Sequence, residues 1–172
     1  MCQCGDIDDL LNSGGDCAAN VTPGVEPSFF FNCKDEVVSI PDPDPLLDCQ
    51  ISGDIILQAG STWKKWDRVA TSATIKDTHP YKGLWVTTLS VTIKGRTHDA
   101  LCASNDLTNN EVVIINTDKI GQTFLYGDTK VGVTFSVTNS TTGAAGSDEE
   151  SRIELEGTVS STHPPYGYYG IY

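Results

Sequence analysis

The sequence predicts an all-β fold, mainly β with one short helix. It should form a β-sandwich or barrel with an extended N-terminal arm and a long late hairpin. Three observations predict this. Apolar and polar residues alternate with period two, rich in Val, Ile and Thr, in LWVTTLSVTIK (84–94), VGVTFSVT (131–138) and SRIELEGTV (151–159). Gly- and Pro-bearing turns separate these runs. A single stretch, 97–107, carries a helix signature.

Residues 1–50 read as an extended arm, because GG, PG, EP and then PDPDP (Pro41 to Pro45) break any periodicity. Each Pro lacks a ladder donor, so PDPDP is expected as a polyproline-like spacer after one short strand, EVVSI (36–40). The cluster holding Phe29, Phe30 and Phe31 is too apolar to stand in water and should pack on this domain or on a neighbouring copy.

The β domain is expected over 51–160. ISGDIILQA (51–59) and WDRVATSATIK (66–76) are candidate strands divided by a turn at Gly60-Ser61. In 84–94, Trp85, Thr87, Leu89, Val91 and Ile93 share one face, with Thr88, Ser90 and Thr92 opposite. In the helix at 97–107, Thr97 is the N-cap and Asp99 stands in the first turn. The helix should cover one opening of the sandwich or barrel.

EVVIINT (111–117) and QTFLY (122–126) form a hairpin across Asp118–Gly121. The last hairpin, 131–138 with 151–159, has a tip far longer than a tight turn requires, ending in Asp148, Glu149 and Glu150. Residues 161–172 form a Pro- and Gly-punctuated tail with Tyr166, Tyr168, Tyr169 and Tyr172.

Composition excludes several classes. At 172 residues and 38% hydrophobic content the chain suits one globular domain. No run approaches the roughly 18 apolar residues of a membrane span. MCQCGDIDDLL lacks a basic n-region and an apolar h-region, so no secretory signal is expected. The net charge of −12 opposes a phosphate grip. Charge is also uneven, −10 over 1–60, +4 over 61–100 and −6 over 101–172, which suggests a basic belt meeting an acidic segment of a second copy.

No catalytic constellation is visible. His79, His98 and His163 lie far apart, His79 and His163 before prolines in expected loops, and no nucleophile elbow, phosphate loop or zinc-protease motif occurs. The chain is therefore expected not to be an enzyme and to need no cofactor.

The six cysteines (Cys2, Cys4, Cys17, Cys33, Cys49, Cys102) lack zinc spacing and are expected as structural or incidental thiols, without disulfides in a cytoplasm. Asp6-x-Asp8-Asp9 and Asp42-x-Asp44 resemble fragments of calcium loops but lack the rest, and are expected to be solvated. Trp66 and Trp85 should be core residues, whereas Trp63 beside Lys64 and Lys65 is open to either environment.

The order of elements resembles the major tail (tail tube) proteins of tailed bacteriophages and prophages. The stretches that carry the resemblance are DEVVSIP (35–41), ISGDIILQAGSTW (51–63), LWVTTLSVTIKG (84–95) and a short helix. Most specific are NNEVVIINTDKIGQTFLYGD (109–128) and TTGAAGSDEESRIELEG (141–157); the resemblance covers 36–160.

It implies a virion structural protein, made in the host cytoplasm and located in the tail. Six copies would form a ring, and stacked rings a hollow tube. Double-stranded DNA would pass through without sequence-specific binding, and other tail proteins would be partners. A lumen that repels phosphate would be acidic, with Glu154, Glu156, Asp54 and Glu111 as candidate lumen residues. Candidate inter-subunit contacts are Phe29, Phe30, Phe31, Gly143, Gly146, Asp148, Glu149, Glu150, Tyr166, Tyr168, Tyr169 and Tyr172. The alternatives are another virion protein (capsid decoration, tail terminator or fibre component) or a carbohydrate-binding or adhesive β-sandwich using Trp63.

Overall fold

The computed structural model describes residues 28–46, 49–67, 73–118, 121–143 and 151–172. The fold is mainly β with one helix, as the alternation predicts. Among the described residues, twelve strands and one α-helix run in chain order, with a 3-10 turn at Lys34–Glu36. They are β1 (Ser28–Cys33), β2 (Val37–Ser39), β3 (Gln50–Ile51), β4 (Ile56–Leu57), β5 (Lys64–Asp67), β6 (Ala73–Tyr81) and β7 (Leu84–Lys94), then α1 (His98–Asn109), then β8 (Val112–Thr117), β9 (Thr123–Tyr126), β10 (Thr134–Thr141), β11 (Arg152–Ser161) and β12 (Tyr166–Tyr168).

The described strands form three sheets. The largest has the order β3-β12-β9-β8-β1-β5, the second β10-β11-β7-β6, and the third is the pair β2-β4.

The four-stranded sheet lays Leu89, Val91, Ile93, Phe135, Ile153 and Leu155 against Phe29, Phe31, Val112, Ile114 and Tyr126 of the six-stranded sheet. Helix α1 adds Ala100, Ala103 and Leu107 to this core. A second core lies on the other face of the six-stranded sheet, where Val113, Ile115, Leu125 and Tyr168 meet Val37, Ile51 and Ile55. The six-stranded sheet is therefore covered on both faces. That explains why β8 reads as an unbroken apolar run, since Val112 and Ile114 serve one core and Val113 and Ile115 the other.

Strands β7 and β11 match their alternation, with ten paired positions from Arg152↔Lys94 to Ser161↔Trp85. Thr97 caps α1 as expected, its hydroxyl accepting from Ala100 N at 3.1 Å, and the helix runs on to Asn109. Phe135 opposes Gly157, and its ring lies where a Cβ on Gly157 would be, 2.6 Å from the nearest ring carbon.

Four expectations differ from the structure. The expected strand 51–59 is two short strands, β3 and β4, in different sheets, with Gly53 between them against Pro41, where a Cβ would clash. The expected strand 66–76 is divided between β5 and β6, again in different sheets. The arm expected over 1–50 contains β1, an interior strand paired with both β5 and β8. The tail expected over 161–172 contains β12, which lies between β3 and β9. In the last two cases apolar side chains were recognised, but their partners are distant in sequence.

Candidate functional site

The four-stranded sheet turns one face outward. With Ile153, Leu155 and Val159 turned inward on β11, Arg152, Glu154, Glu156, Thr158 and Ser160 turn outward. Register extends this across the sheet. Ser136, Glu156, Ser90 and Thr74 make one cross-strand row, and Thr134, Thr158, Thr88 and Lys76 the next. The face is thus mostly hydroxyls, with Arg152 donating to Glu154 at 2.6 Å.

Neither outer strand of this sheet has a second strand partner among the described residues, and α1 packs beside β10. Among the described residues, β6 pairs only with β7, and β10 only with β11. Along 74–81 of β6 and 134–141 of β10, the backbone groups that point away from the sheet have no strand to pair with among the described residues. Lys76, Asp77 and Pro80 on β6, and a register shift between Val137 and Asn139 on β10, are features that blunt indiscriminate pairing. His79 and Pro80, expected in a loop, lie within β6, where the His79 ring stacks on Trp85 at 4.8 Å.

The late hairpin is fixed where its tip begins. Gly95 N donates to Ser151 O at 2.7 Å, and Arg96 Nε to Ser140 Oγ at 3.0 Å. Gly143 ends the described part of the hairpin, and Gly146, Asp148, Glu149 and Glu150 lie outside the described residues.

The four candidate lumen acids do not share one surface. Glu154 and Glu156 stand on the hydroxyl face, where Arg152 and Lys76 offset them. Asp54 lies between β3 and β4 and accepts from Ile171 N at 2.8 Å. Glu111, just ahead of β8, pairs with Lys34 and accepts from Gly132 N at 3.3 Å. The Lys34 ammonium, and after it the Gly132 N–H, hold the Glu111 carboxyl below the ordinary carboxylate range; the same hydrogen bond raises Lys34.

The aromatic candidates also separate. Phe29 and Phe31 are buried in this chain's first core, while Phe30 faces the second and meets Tyr172 edge-on at 4.7 Å. Tyr168 is 2% exposed; its hydroxyl accepts from Ile55 N at 3.3 Å and donates to Ile171 O at 3.1 Å. These three buried rings have their contacts within the chain. Tyr166 is half-buried and stacks on His163 at 4.1 Å, and Tyr169 and Tyr172 are exposed.

Trp63 packs against the second core, Trp85 is half-buried, and the Trp66 side chain lies outside the described part. Among the described residues no three His, Cys, Asp or Glu side chains are grouped to hold a metal. Asp44 accepts from Leu46 N at 2.9 Å, an Asx turn within the acidic spacer. The cavity in the first core, lined by Phe29, Phe31, Leu89 and Phe135 among others, has room for about one water, 10 Å³, and is apolar. Among the described residues no helix is long and apolar enough to cross a membrane.

The cysteine expectation needs one correction. Cys33, buried at the end of β1, is disulfide-bonded, whereas Cys49 and Cys102 are free and exposed. The assumed compartment argued for thiols throughout, but pairing depends on the geometry at each cysteine, which spacing does not reveal. Cys2, Cys4 and Cys17 lie outside the described residues.

The two outer strands and the hydroxyl face as a unit are not evident in the sequence. The signal for the face was present, as Thr and Ser on the polar side of β7, β10 and β11. The rims had no local signal, because strand order is set by long-range pairing. Compared with protein-family models, curated proteins and solved structures, the chain matches none.

Proposed function

We propose that the chain is a structural, non-enzymatic subunit of the tail tube type. It would self-assemble into rings that stack into a DNA-conducting tube. One observation carries this: a four-stranded sheet whose two outer strands have no second strand partner among the described residues, with a polar outward face. Pairing β6 of one copy with β10 of the next would satisfy both rims at once. The operation is head-to-tail, so it closes into a ring when the rotation per copy allows. The ring of six is taken from the resemblance.

A surface of hydroxyls with balanced charges suits a passage for DNA. It offers no cluster of cations to hold phosphates. Glu154 and Glu156 would face the passage, whereas the structural contacts of Asp54 and Glu111 fit them better for holding the subunit together. The late hairpin would reach an adjacent copy or ring. Its place would be the virion tail, with other tail proteins as partners at the ends of the tube.

Electron microscopy of the purified chain tests the proposal. Rings or tubes are expected. A protein that stays monomeric at every concentration would overturn it. Deletion of 140–150 should leave a folded subunit that forms no tubes, and normal tubes from that variant would refute the role given to the hairpin.

A further inference from the structure

Five of the nine exposed large apolar side chains among the described residues lie in one layer. Val38 (59% exposed), Ile56 (58%), Tyr169 (64%) and Ile171 (80%) all belong to the layer covering the second core, with Tyr172 beside them. The layer is continuous through its own bonds. β2 pairs with β4, Asp54 beside β4 holds Ile171 N, and Tyr172 rests on Phe30. A clustered apolar patch of this kind marks a contact surface.

The sign of the surrounding charge selects the occupant. Asp35 and Asp54 are exposed beside β2 and β4, Asp42 is exposed in the segment that follows β2, and Glu36 and Asp44 in the same stretch are half-buried. Lys34 is engaged by Glu111, and Lys65 lies toward the Phe30 ring, 5.9 Å from its centroid. Residues 1–27 of the same chain carry five acids and no base, and the hairpin tip carries Asp148, Glu149 and Glu150; both have the wrong sign for this patch.

The β6–β7 hairpin has the right one. Its tip presents Tyr81, 72% exposed, next to Lys82, with Lys76 further down the strand. A chain's own hairpin cannot reach its own patch, because the six-stranded sheet lies between them and each packed layer is about 10 Å thick.

We propose that the β6–β7 hairpin of one copy docks on the Val38–Ile56–Ile171 patch of another. Tyr81 would be the apolar anchor, and Lys82 would meet the aspartates flanking β2 and β4. The contact deepens the assembly proposed above and rests on it for its partner. It is heterologous, so it propagates from copy to copy, and it uses the end of β6 at Tyr81 and the turn at Lys82, leaving the rest of the β6 rim for strand pairing.

Photo-cross-linking of the full chain tests this, with p-benzoylphenylalanine in place of Tyr81. Cross-links between copies are expected at 38–56 or 169–172, and cross-links confined to other segments would overturn the contact. Lys82→Glu and Asp42→Lys should each lower the yield about tenfold, a loss worth one charged pair at an interface. Mixing the two variants should restore it, because the reversed hairpin then meets a reversed patch. Unchanged yield in both variants would also overturn the contact. Rings by microscopy that persist in Tyr81→Ala and Lys82→Glu would remove this contact and leave the ring assembly standing. Rescued cross-linking without rings would do the reverse.

Discussion

Replacing Tyr168 by Phe isolates the hydrogen bonds that hold the C-terminal segment. The ring remains and keeps its place in the second core, so no cavity larger than one oxygen forms. Two bonds are lost, from Ile55 N at 3.3 Å and to Ile171 O at 3.1 Å. Their consequences differ. Ile171 is exposed, so its carbonyl regains water, whereas Ile55 is buried and its N–H is left without a partner.

An unsatisfied buried donor costs about 1–3 kcal/mol, and the long Ile55 bond places the loss toward the lower end, about 1–2 kcal/mol. For a chain of this size that lowers Tm by about 2–8 °C. Urea unfolding should show the midpoint falling with the m value unchanged. Burial holds the Tyr168 phenol above its ordinary range, with the Ile55 N–H opposing. Its folded pKa therefore exceeds its unfolded one. The contribution is complete below about pH 10 and is lost as pH rises through the folded value, so the gap between the two proteins should narrow in alkali. A midpoint equal to that of the parent at pH 7 would refute the idea that this hydroxyl fastens residues 166–172 to the β3–β4 connection.

Other substitutions probe separate features. Asp106 is buried in α1 with Oδ1 unpartnered, so Asp106→Ala should stabilise the chain by about 1 kcal/mol or more, seen as a higher calorimetric Tm. Gly157→Ala should displace the Phe135 ring and cost about 1–3 kcal/mol by chemical denaturation. Glu111→Gln removes a carboxylate whose folded pKa is depressed. Its contribution exists above the ordinary carboxylate pKa and disappears as pH falls through the folded value. The variant and parent should differ at pH 7 and converge in acid, followed by tryptophan fluorescence.

What the sequence disclosed depended on how locally each element is specified. β7 and β11 were legible because each has one wet and one dry face, and alternation reports that directly. α1 was legible from Thr97, whose capping bond spans three residues. β1 was not, since SFFFNC feeds two cores at once and shows no alternation, and its partners β5 and β8 lie far along the chain. β12 was missed for the same reason, and its tyrosines read as a free tail. Among the candidate residues, Glu154 and Glu156 could be placed on an outward face in advance because Ile153 and Leu155 fix the pleat between them. Asp54 and Glu111 could not, because Ile171 and Lys34, which engage them, are joined to them only by the fold.

The insertion of β12 between β3 and β9 bears on how the molecule is made. Ile55 and Tyr168 are 113 positions apart, yet one bond links them inside the second core. Loop closure over that span must come before the outer layer can seal, and non-local closure of this kind slows folding. Until it happens, Ile51, Val113 and Ile115 have no lid, and a ribosome-bound chain exposes them. The step that buries this side also sets Ile171 beside Asp54, so a half-folded subunit would not yet display the outer layer in its finished form. The outer layer is in this way completed only by the last long-range closure.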